Sequence, residues 1–288
     1  MSSPIDNQCL IGTVVDSNYW LHDILGAGSY GVVYKALDLR TSRDPVPTYW
    51  AIKVLQKAGR QPFELENIRR EISLHMAMTL YPGIVTMYDV VDEDDRTFII
   101  LDLCDTGDLL EHIAVRGTYK DNEELLRMAF ISLVDAVTAC HMNNIAHRDL
   151  KPENILVNQD GSELFLTDFG LATTRSTISE FDASTGVYMS PESIGDLTSH
   201  VPFNPRTADI WSLGIILVNM LTGRYPWTKA DRSDPAFAAY LADADYLSKW
   251  APLSPAAVTL LRRMLNPDPL SRINLTALRR AVHALNTF

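Results

Sequence analysis

The sequence lacks the residue patterns that mark secreted, disulfide-rich or zinc-binding proteins. Its 288 residues include only three cysteines, Cys9, Cys104 and Cys140, and no two of them have a paired spacing. A disulfide framework or a zinc site is therefore not expected, and a reducing compartment inside the cell fits better. The first lysine or arginine is Lys35, so the positive segment that opens a signal peptide is also missing. These absences favour a cytoplasmic or nuclear protein.

Long apolar runs and excess positive charge are lacking too. The longest near-apolar stretch, residues 211–221, has 11 residues and is interrupted by Ser212 and Asn219. Crossing a bilayer takes about 20 residues, so this stretch predicts a buried helix. The net charge of -11 disfavours general binding to nucleic acids or anionic membranes, which would repel the protein. We expect neither kind of partner.

The sequence does contain enough apolar residues for a large core. Hydrophobic residues make up 47% of the chain, which suits one large domain or two smaller lobes. Up to about residue 104, five short β-type runs bounded by Gly, Pro or Asp predict an antiparallel sheet. One helix, at about 62–79, interrupts the runs.

Beyond that point the apolar periodicity is helical. Asp121 and Glu124 resemble a capping box at the start of the first helix, and Ser254 and Asn274 are plausible starts for the last two. The pattern therefore predicts an α+β protein with a small β-rich lobe, a larger helical lobe and a cleft between them. Helices are predicted at about 121–143, 207–222, 235–242, 254–265 and 274–285.

A glycine-rich segment, LGAGSYGVV, joins the first two strand-like runs of this β-rich lobe. Gly26, Gly28 and Gly31 have the spacing G-x-G-x-x-G, which by itself also occurs in dinucleotide-binding folds. Because β-type residues follow here instead of a helix, the segment predicts a flexible hairpin whose amides close over phosphates. An ordinary glycine-rich hairpin is the alternative.

A lysine and a glutamate follow as a candidate buried pair. Lys53 ends the run WAIK, and a lysine on a buried strand needs an anionic partner. Glu71, in the helical run NIRREISLH, is the best candidate. Lys53 could then bridge this carboxylate and the phosphates of a nucleotide. The alternative is a surface lysine and an exposed glutamate.

The segment HRDLKPEN places a carboxylate, an ammonium and a carboxamide on one loop, at Asp149, Lys151 and Asn154. A second carboxylate, Asp168, ends an apolar run just before Phe169 and a glycine. With the glycine hairpin and the Lys53–Glu71 candidate pair, these segments resemble the signature set of protein kinases. The resemblance extends from about 19 to about 285.

This resemblance implies the two-lobed kinase fold as a single domain. The N-terminal lobe, 19–103, would hold a five-stranded antiparallel sheet with one main helix, and the C-terminal lobe, 104–288, would be mainly helical. ATP and Mg²⁺ are the implied cofactors, proteins the implied substrates, and a monomeric catalytic domain the implied state.

The family's catalytic roles transfer to matching positions. Asp149 would accept or orient the proton of the attacking hydroxyl, and Lys151 would steady the transferred phosphoryl group. Asn154 and Asp168 would bind Mg²⁺, for which amide and carboxylate oxygens are suitable ligands. Cys104, in the segment that would contact adenine, should be a buried, unreactive thiol. The implied nucleotide-binding residues are Leu25, Gly26, Gly28, Gly31, Val33, Ala51, Lys53, Leu101, Asp102, Cys104, Asp108, Asn154, Leu156 and Asp168.

Two features make the resemblance more specific. Lys151, together with Thr185, which would hydrogen-bond Asp149 and Lys151, is similar to serine/threonine kinases. The run at 211–219 and the Tyr225-Pro226-Trp227 turn resemble a fungal group that includes a negative regulator of meiosis and its nutrient-signalling relatives. Kinship of this kind implies nutrient, cell-cycle or meiotic signalling.

Supporting residues are implied as well. Arg272 would pair with Glu192, and Asp209 would brace the catalytic loop. His147 and Phe169 would belong to an internal stack. His75 would replace its third, usually apolar, member as a packed histidine.

The segment between Asp168 and Glu192 departs from the common pattern. The position where many kinases carry an activating phosphothreonine is Phe181, flanked by Glu180 and Asp182. Arg148 still requires an anion, so our hypothesis is that a neighbouring carboxylate supplies it without phosphorylation. The alternative is phosphorylation of Ser176, Thr177, Ser179 or Ser184.

Other readings stay open at this point. Glu153 and Asp108 lie where some kinases recognise arginine in the substrate, although Glu153 could equally be part of the loop framework. A non-catalytic kinase-like scaffold would normally lack Lys53, Asp149, Asn154 or Asp168. A small-molecule phosphotransferase would lack the Ser-Pro-Glu segment and the Asp209 helix in this form.

Overall fold

The computed structural model describes residues 9–28, 31–182, 184 and 186–288. The chain forms two compact units. The first comprises the chain up to Met76 together with Val85–Asp105, and the second comprises Ala77–Ile84 and Thr106–Phe288.

The first unit is built on one antiparallel sheet with the strand order β1-β2-β3-β4-β6-β5. It has six strands instead of the expected five, because Val14 and Val15 pair with Trp20 and Tyr19 at the sheet edge. Two residues are too short to give an alternating pattern, so this strand had no signal in the sequence. The strands are β1 (Val14–Val15), β2 (Tyr19–Gly28), β3 (Gly31–Asp38), β4 (Tyr49–Gln56), β5 (Met87–Asp92) and β6 (Arg96–Leu101).

One face of this sheet forms an apolar core. Its residues alternate along the strands, as the period of two requires, and Leu21, Ile52 and Ile100 have no exposed surface. Val15 belongs to the same cluster, so the short edge strand contributes to the core. The opposite face carries the residues described below as candidate site residues.

The one helix of the first unit that the sequence predicts, α1, spans Pro62–Met78. Pro62 suits the first turn because its missing N–H would be unpaired there anyway. Glu64 accepts a hydrogen bond from the Gln61 N–H at 2.8 Å. The helix buries Ile68 and His75.

Helices predominate in the second unit, again as expected. A two-stranded antiparallel pair, β7 (Ile155–Val157) and β8 (Leu164–Leu166), lies among them. Ser254 and Asn274 cap the last two helices, as predicted. The described helices are α2 (Leu109–Glu111), α3 (Glu123–Met142), α4 (Pro191–Ile194), α5 (Pro205–Thr222), α6 (Pro235–Ala242), α7 (Tyr246–Trp250), α8 (Pro255–Met264) and α9 (Leu275–Ala284).

The predicted capping box of α3 is wrong. Asn122 is the N-cap, and its side chain accepts from the Leu125 N–H. Asp121 lies one residue earlier with φ of 59°, a left-handed conformation that turns the chain into the helix and that aspartate tolerates better than most residues. By length and composition alone α3 could cross a membrane, but eight of its side chains are buried within the protein.

The segment Ala77–Ile84 joins the helical unit through a close backbone approach. Gly83 has φ of 77°, and a Cβ there would lie 2.8 Å from the Cβ of Ala136. Its carbonyl oxygen accepts from the Leu166 N–H at 2.8 Å. Only glycine satisfies both the conformation and the space.

A buried ion pair connects α4 to the segment before α9 in the second unit. Arg272 donates two parallel hydrogen bonds to Glu192, at 2.5 and 2.9 Å, and the two side chains are 0% and 1% exposed. The guanidinium also lies 5.2 Å from the Trp211 ring centroid. The predicted pairing of these two residues is confirmed.

Removing one partner of this pair should destabilise the protein strongly. Glu192→Ala leaves a buried guanidinium without its counter-charge, and we expect the free energy of unfolding to fall by about 3–5 kcal/mol. Urea denaturation measures the change. Asp135→Ala is the control, because its pair with Arg279 is about half exposed and should contribute less than about 1 kcal/mol. Equal effects of the two substitutions would contradict the prediction.

Candidate functional site

The glycine-rich segment forms the predicted hairpin. Gly28 pairs with Gly31, and Gly26 pairs with Val33. A Cβ at Gly31 would collide with the carbonyl oxygen of Val54, whereas a Cβ at Gly26 or Gly28 would meet no described atom within 4 Å. Of the three glycines in this hairpin, only Gly31 has to be glycine because of the packing of the described residues. Leu25 lies in the register shift between Ile24 and Gly26 and is 48% exposed.

Four predicted nucleotide-binding residues share the second face of the sheet. Val33 lies opposite Lys53, and Ala51 lies opposite Leu101. Directly opposed residues of antiparallel strands point to the same side, and Ala51 and Lys53 are two residues apart on one strand. The strand register therefore groups an ammonium with three apolar side chains.

Lys53 and Glu71 form the predicted pair. The Lys53 Nζ donates to the Glu71 Oε1 at 2.5 Å, and the two side chains are 12% and 7% exposed. The α1 helix presents the carboxylate to strand β4. A pair this well shielded from water needs a specific geometry to offset the loss of hydration, so the position of Lys53 is closely defined.

The segment after β6 carries the predicted adenine contacts. The Asp102 N–H donates to the Thr86 carbonyl at 3.0 Å, so the Asp102 carbonyl is the backbone group left for a ligand. Its side chain accepts from the Tyr88 hydroxyl at 2.9 Å. Partial burial, ahead of the charges of Asp102 and Asp105, raises the pKa of Cys104 to about 11. The expected protonated thiol agrees with this shift, but the residue is half-buried instead of buried.

Asp108 and Leu156, both predicted nucleotide-binding residues, are neighbours in the second unit. They form an isolated antiparallel bridge. The Asp108 carboxylate accepts from the Glu111 N–H at 2.8 Å, which caps α2. One oxygen of Asp108 thus has a structural task, and the other is available for a ligand.

The catalytic-loop residues converge on one carboxylate. The Asp149 Oδ2 accepts from the Lys151 Nζ and from the Asn154 Nδ2, both at 2.9 Å. Asn154 also donates to the Asp149 backbone carbonyl at 3.0 Å. Asp149 is 5% exposed, so its orientation is set by these bonds and not by solvent.

The β7–β8 pair explains how Asn154 and Asp168 come to the same end of a hairpin. Ile155 lies opposite Leu166, so Asn154 precedes β7 where the chain leaves β8. The Thr167 N–H donates to the Asn154 carbonyl at 3.1 Å. Asp168 follows with φ of 64°, a conformation that is uncommon outside glycine and is often found at functional sites.

Lys151 keeps its charge in this surrounding. Burial by itself would lower the pKa of Lys151, but the hydrogen bond and charge of Asp149, with the charges of Glu153 and Asp168, outweigh it and raise that pKa. The Thr167 N–H bond to the Asn154 carbonyl places the start of the Asp168 loop beside the catalytic loop. The loop therefore holds a permanent cation among three anions.

Asp209, at the start of α5, braces this loop as predicted. Its Oδ2 accepts from the His147 N–H at 2.9 Å and its Oδ1 from the Arg148 N–H at 2.9 Å. A third partner, the Nε2 of His141 at 2.8 Å, was missed, because no sequence pattern links a helix end to a residue 68 positions later. Arg148 has φ of 68°, and the bonds to Asp209 hold it there.

Two of the three predicted stack members are in contact. The rings of His147 and Phe169 lie 5.1 Å apart, and both are fully buried. His75 is buried in the first unit, where its Nε2 lies 2.7 Å from the Val85 carbonyl. The expectation of a packed histidine at this position is confirmed.

Glu180 supplies the anion that Arg148 was expected to need. Its Oε2 lies 3.1 Å from Arg148, and its Oε1 lies 3.1 Å from Arg175. The Arg148 guanidinium is 12% exposed and Glu180 is 51% exposed. A carboxylate therefore bridges the catalytic loop and the segment after it, as hypothesised.

Phe181 is held by aromatic contacts, which the sequence did not indicate. Its ring lies 5.0 Å from that of His200 and 5.7 Å from that of Phe203. Two backbone hydrogen bonds between Ile178 and Phe203 fix the same stretch. The segment is thus attached, on both sides of Glu180, to the stretch of the second unit that contains His200 and Phe203.

One further contact to Asp149 was not predicted. The Ser184 hydroxyl donates to the Asp149 Oδ1 at 2.5 Å. Thr185, the residue expected to contact Asp149, lies outside the described residues.

Comparison with known families agrees with this geometry. The model of the protein kinase domain matches residues 19–283. The chain belongs to the protein kinase family. The two-lobed α+β kinase fold inferred from the signature residues is thereby confirmed.

Curated relatives of this kinase include fungal proteins, which confirms the expected resemblance. It is 35% identical to the negative regulator of sexual conjugation and meiosis of Schizosaccharomyces pombe, over 94% of this chain and 61% of the relative. It is 30% identical to the serine/threonine-protein kinase VHS1 of Saccharomyces cerevisiae, over 94% and 71%. It is 35% identical to the serine/threonine-protein kinase ksp1 of S. pombe, over 91% of this chain and 55% of the relative. The chain thus spans only part of each relative.

The three thiols of this kinase should differ in reactivity. The raised pKa values of Cys104, about 11, and Cys140, about 12, leave about one Cys104 in a thousand as thiolate near pH 8. Iodoacetamide, which reacts with the thiolate, should label exposed Cys9 first. Because deprotonation rises with pH, the Cys104 rate should grow about tenfold per pH unit. Peptide mapping by mass spectrometry follows all three, and equal early labelling of Cys9 and Cys104 would refute the assignment.

Proposed function

We propose that this chain is a serine/threonine protein kinase that transfers the γ-phosphoryl group of ATP to hydroxyl groups of protein substrates. The main support for this proposal is that Lys151 and Asn154 both donate hydrogen bonds to the Asp149 carboxylate. Positioning and charge stabilisation supply nearly all of the catalysis in phosphoryl transfer. A buried, fully oriented carboxylate beside a permanent cation suits that chemistry.

The first unit supplies the groups proposed to bind the nucleotide. Lys53, fixed by Glu71, binds the phosphates, and the apolar side chains of its sheet face contact the adenine. A Cβ at Gly26 or Gly28 would meet no atom of the described residues within 4 Å. This supports a close approach of a phosphate to the hairpin backbone, because the described residues do not require glycine there for packing. Asp102 and Cys104 offer backbone hydrogen bonds to the base.

Members of this family use ATP with a divalent metal, and the residues present fit Mg²⁺. Among the described residues no group of three or more His, Cys, Asp or Glu forms a metal cage. That suits Mg²⁺, which binds through one or two carboxylates plus substrate phosphates and water. Asn154 uses its amide nitrogen for Asp149, so its side-chain carbonyl oxygen can serve as a cation ligand. The Asp168 carboxylate is the second proposed ligand, because hard carboxylate oxygens suit Mg²⁺. A metal held by these two residues would neutralise charge on the phosphate oxygens.

Each residue of the catalytic loop then has a defined task. Asp149 orients the substrate hydroxyl and accepts its proton as the oxygen attacks the γ-phosphorus. Lys151, which keeps its proton, stabilises charge on the transferred group. Because Asp149 is held on several sides, little reorganisation is needed when the substrate arrives.

The biological setting and the substrate preference follow as further parts of the proposal. We propose a place in nutrient, cell-cycle or meiotic signalling, in the cytoplasm or nucleus. The name of one fungal relative, a negative regulator of sexual conjugation and meiosis, supports the meiotic setting. Glu153 is exposed, and with the net charge of -11 it favours substrates with basic residues near the acceptor. A non-catalytic scaffold has no support, since Lys53, Asp149, Asn154 and Asp168 are all present.

The two aspartates should separate chemistry from nucleotide binding. Asp149→Ala removes the proton acceptor and should abolish transfer to a mixed protein substrate while ATP binding stays nearly intact. Asp168→Ala removes the cation ligand and should impair transfer and Mg-ATP binding together. Radiolabel transfer and calorimetric titration measure the two properties, with the exposed Asp94→Ala as control. Full transfer by Asp149→Ala would refute the proposed function.

Glu180 should allow activity without phosphorylation of its segment. A carboxylate already bridges Arg148 and Arg175, so phosphatase-treated protein should keep most of its turnover. Glu180→Gln, which removes only the charge, should lower turnover several-fold, whereas the exposed Glu163→Gln should not change it. Mass spectrometry verifies the absence of phosphate. Loss of nearly all turnover on dephosphorylation would favour phosphorylation of a neighbouring serine or threonine instead.

A further inference from the structure

The Ser184 hydroxyl meets the catalytic carboxylate from a different part of the chain. Ser184 lies 35 residues beyond Asp149, half-buried, and donates to its Oδ1 at 2.5 Å. The family resemblance assigned a hydroxyl contact to the next residue, Thr185, and none to Ser184.

The two oxygens of Asp149 have different partners. Oδ2 accepts from Lys151 and Asn154 on the same loop, whereas Oδ1 accepts from Ser184. A carboxylate bonded through one oxygen can still turn about its terminal bond, since that torsion is soft. Bonds to both oxygens fix the plane of the group.

Among the described residues Ser184 is the one hydrogen-bond donor to the Asp149 Oδ1, and this leaves a lone pair for a substrate. A carboxylate oxygen can accept about two hydrogen bonds, and Ser184 provides one of them. The serine therefore orients Oδ1 without blocking it, and the incoming hydroxyl meets an oxygen whose direction is already set.

Ser184 also links Asp149 to the segment held by Glu180. Four residues before Ser184, Glu180 binds Arg148 and Arg175. Two residues before it, the Asp182 N–H donates to the Ser193 carbonyl at 3.0 Å. A displacement of Glu180 and Asp182 would therefore change the hydrogen bond between Ser184 and the Asp149 Oδ1.

We propose that Ser184 is a positioning residue that fixes the second oxygen of Asp149 and couples the segment around Glu180 to the proton acceptor. This inference rests on the proposed kinase function. Ser184 acts through Asp149 and touches neither ATP nor the transferred phosphoryl group. Its loss should therefore reduce kcat and leave the KM for ATP unchanged.

The test compares kcat and both KM values of the full chain with Mg-ATP and a peptide substrate. Ser184→Ala should lower kcat roughly tenfold or more, as expected for a hydrogen bond to a charged group. Ser184→Thr keeps the hydroxyl and should restore most of it, and Ser184→Cys, a near-isosteric weak donor, should resemble alanine. Thr174→Ala, at an exposed hydroxyl residue of the same segment, should match the unmodified protein. Thermal unfolding checks that all variants are folded.

Three outcomes overturn the inference. An unchanged kcat in Ser184→Ala shows that the bond is dispensable. A loss that threonine does not restore shows that the hydroxyl is not the active feature. A higher kcat or a lower peptide KM in Ser184→Ala shows that the serine competes with the substrate. Absence of any Asp149-dependent transfer by the unmodified protein rejects the proposed function instead, so the two failures are distinguishable.

Discussion

The bonds from Asp209 to two consecutive backbone amides hold the catalytic loop in shape. The Arg148 amide is one of them, and its residue adopts a left-handed conformation that a long side chain strongly disfavours. Such a conformation persists only when surrounding bonds over-determine it. Because Asp209 is 1% exposed and has His141 as a further partner, its carboxylate cannot be replaced by water. The orientation of Asp149, one residue after Arg148, depends on this brace.

Two further elements converge on the same loop. The β7–β8 hairpin brings Asn154 beside the start of the Asp168 loop, and the segment around Glu180 reaches Arg148 and Asp149. The hairpin contributes an amide, and the segment contributes a carboxylate and a hydroxyl. Backbone hydrogen bonds within the second unit help to set their spacing.

Glu180 pairs with Arg148 next to the position where many kinases carry an activating phosphate. A phosphate can be removed, but Glu180 is permanent and its half-exposed pair is weakened only by salt. The aromatic contacts of Phe181 add an attachment that carries no charge. The Arg148–Glu180 contact therefore supplies, without phosphorylation, an anion of the kind that the sequence predicted Arg148 to need.

By itself the sequence determined the family, the two classes of lobe, the long helices and the ion pairs Lys53–Glu71 and Glu192–Arg272, because signature motifs and apolar periodicity are local or ordered along the chain. It misjudged the α3 cap, since the φ of Asp121 is not written in residue type. Only the tertiary structure decided that His141 meets Asp209, that Phe181 packs on His200, and that Ser184 bonds Asp149. These partners lie far apart in sequence and have no fixed spacing, so only folding brings them within hydrogen-bonding or ring-contact distance.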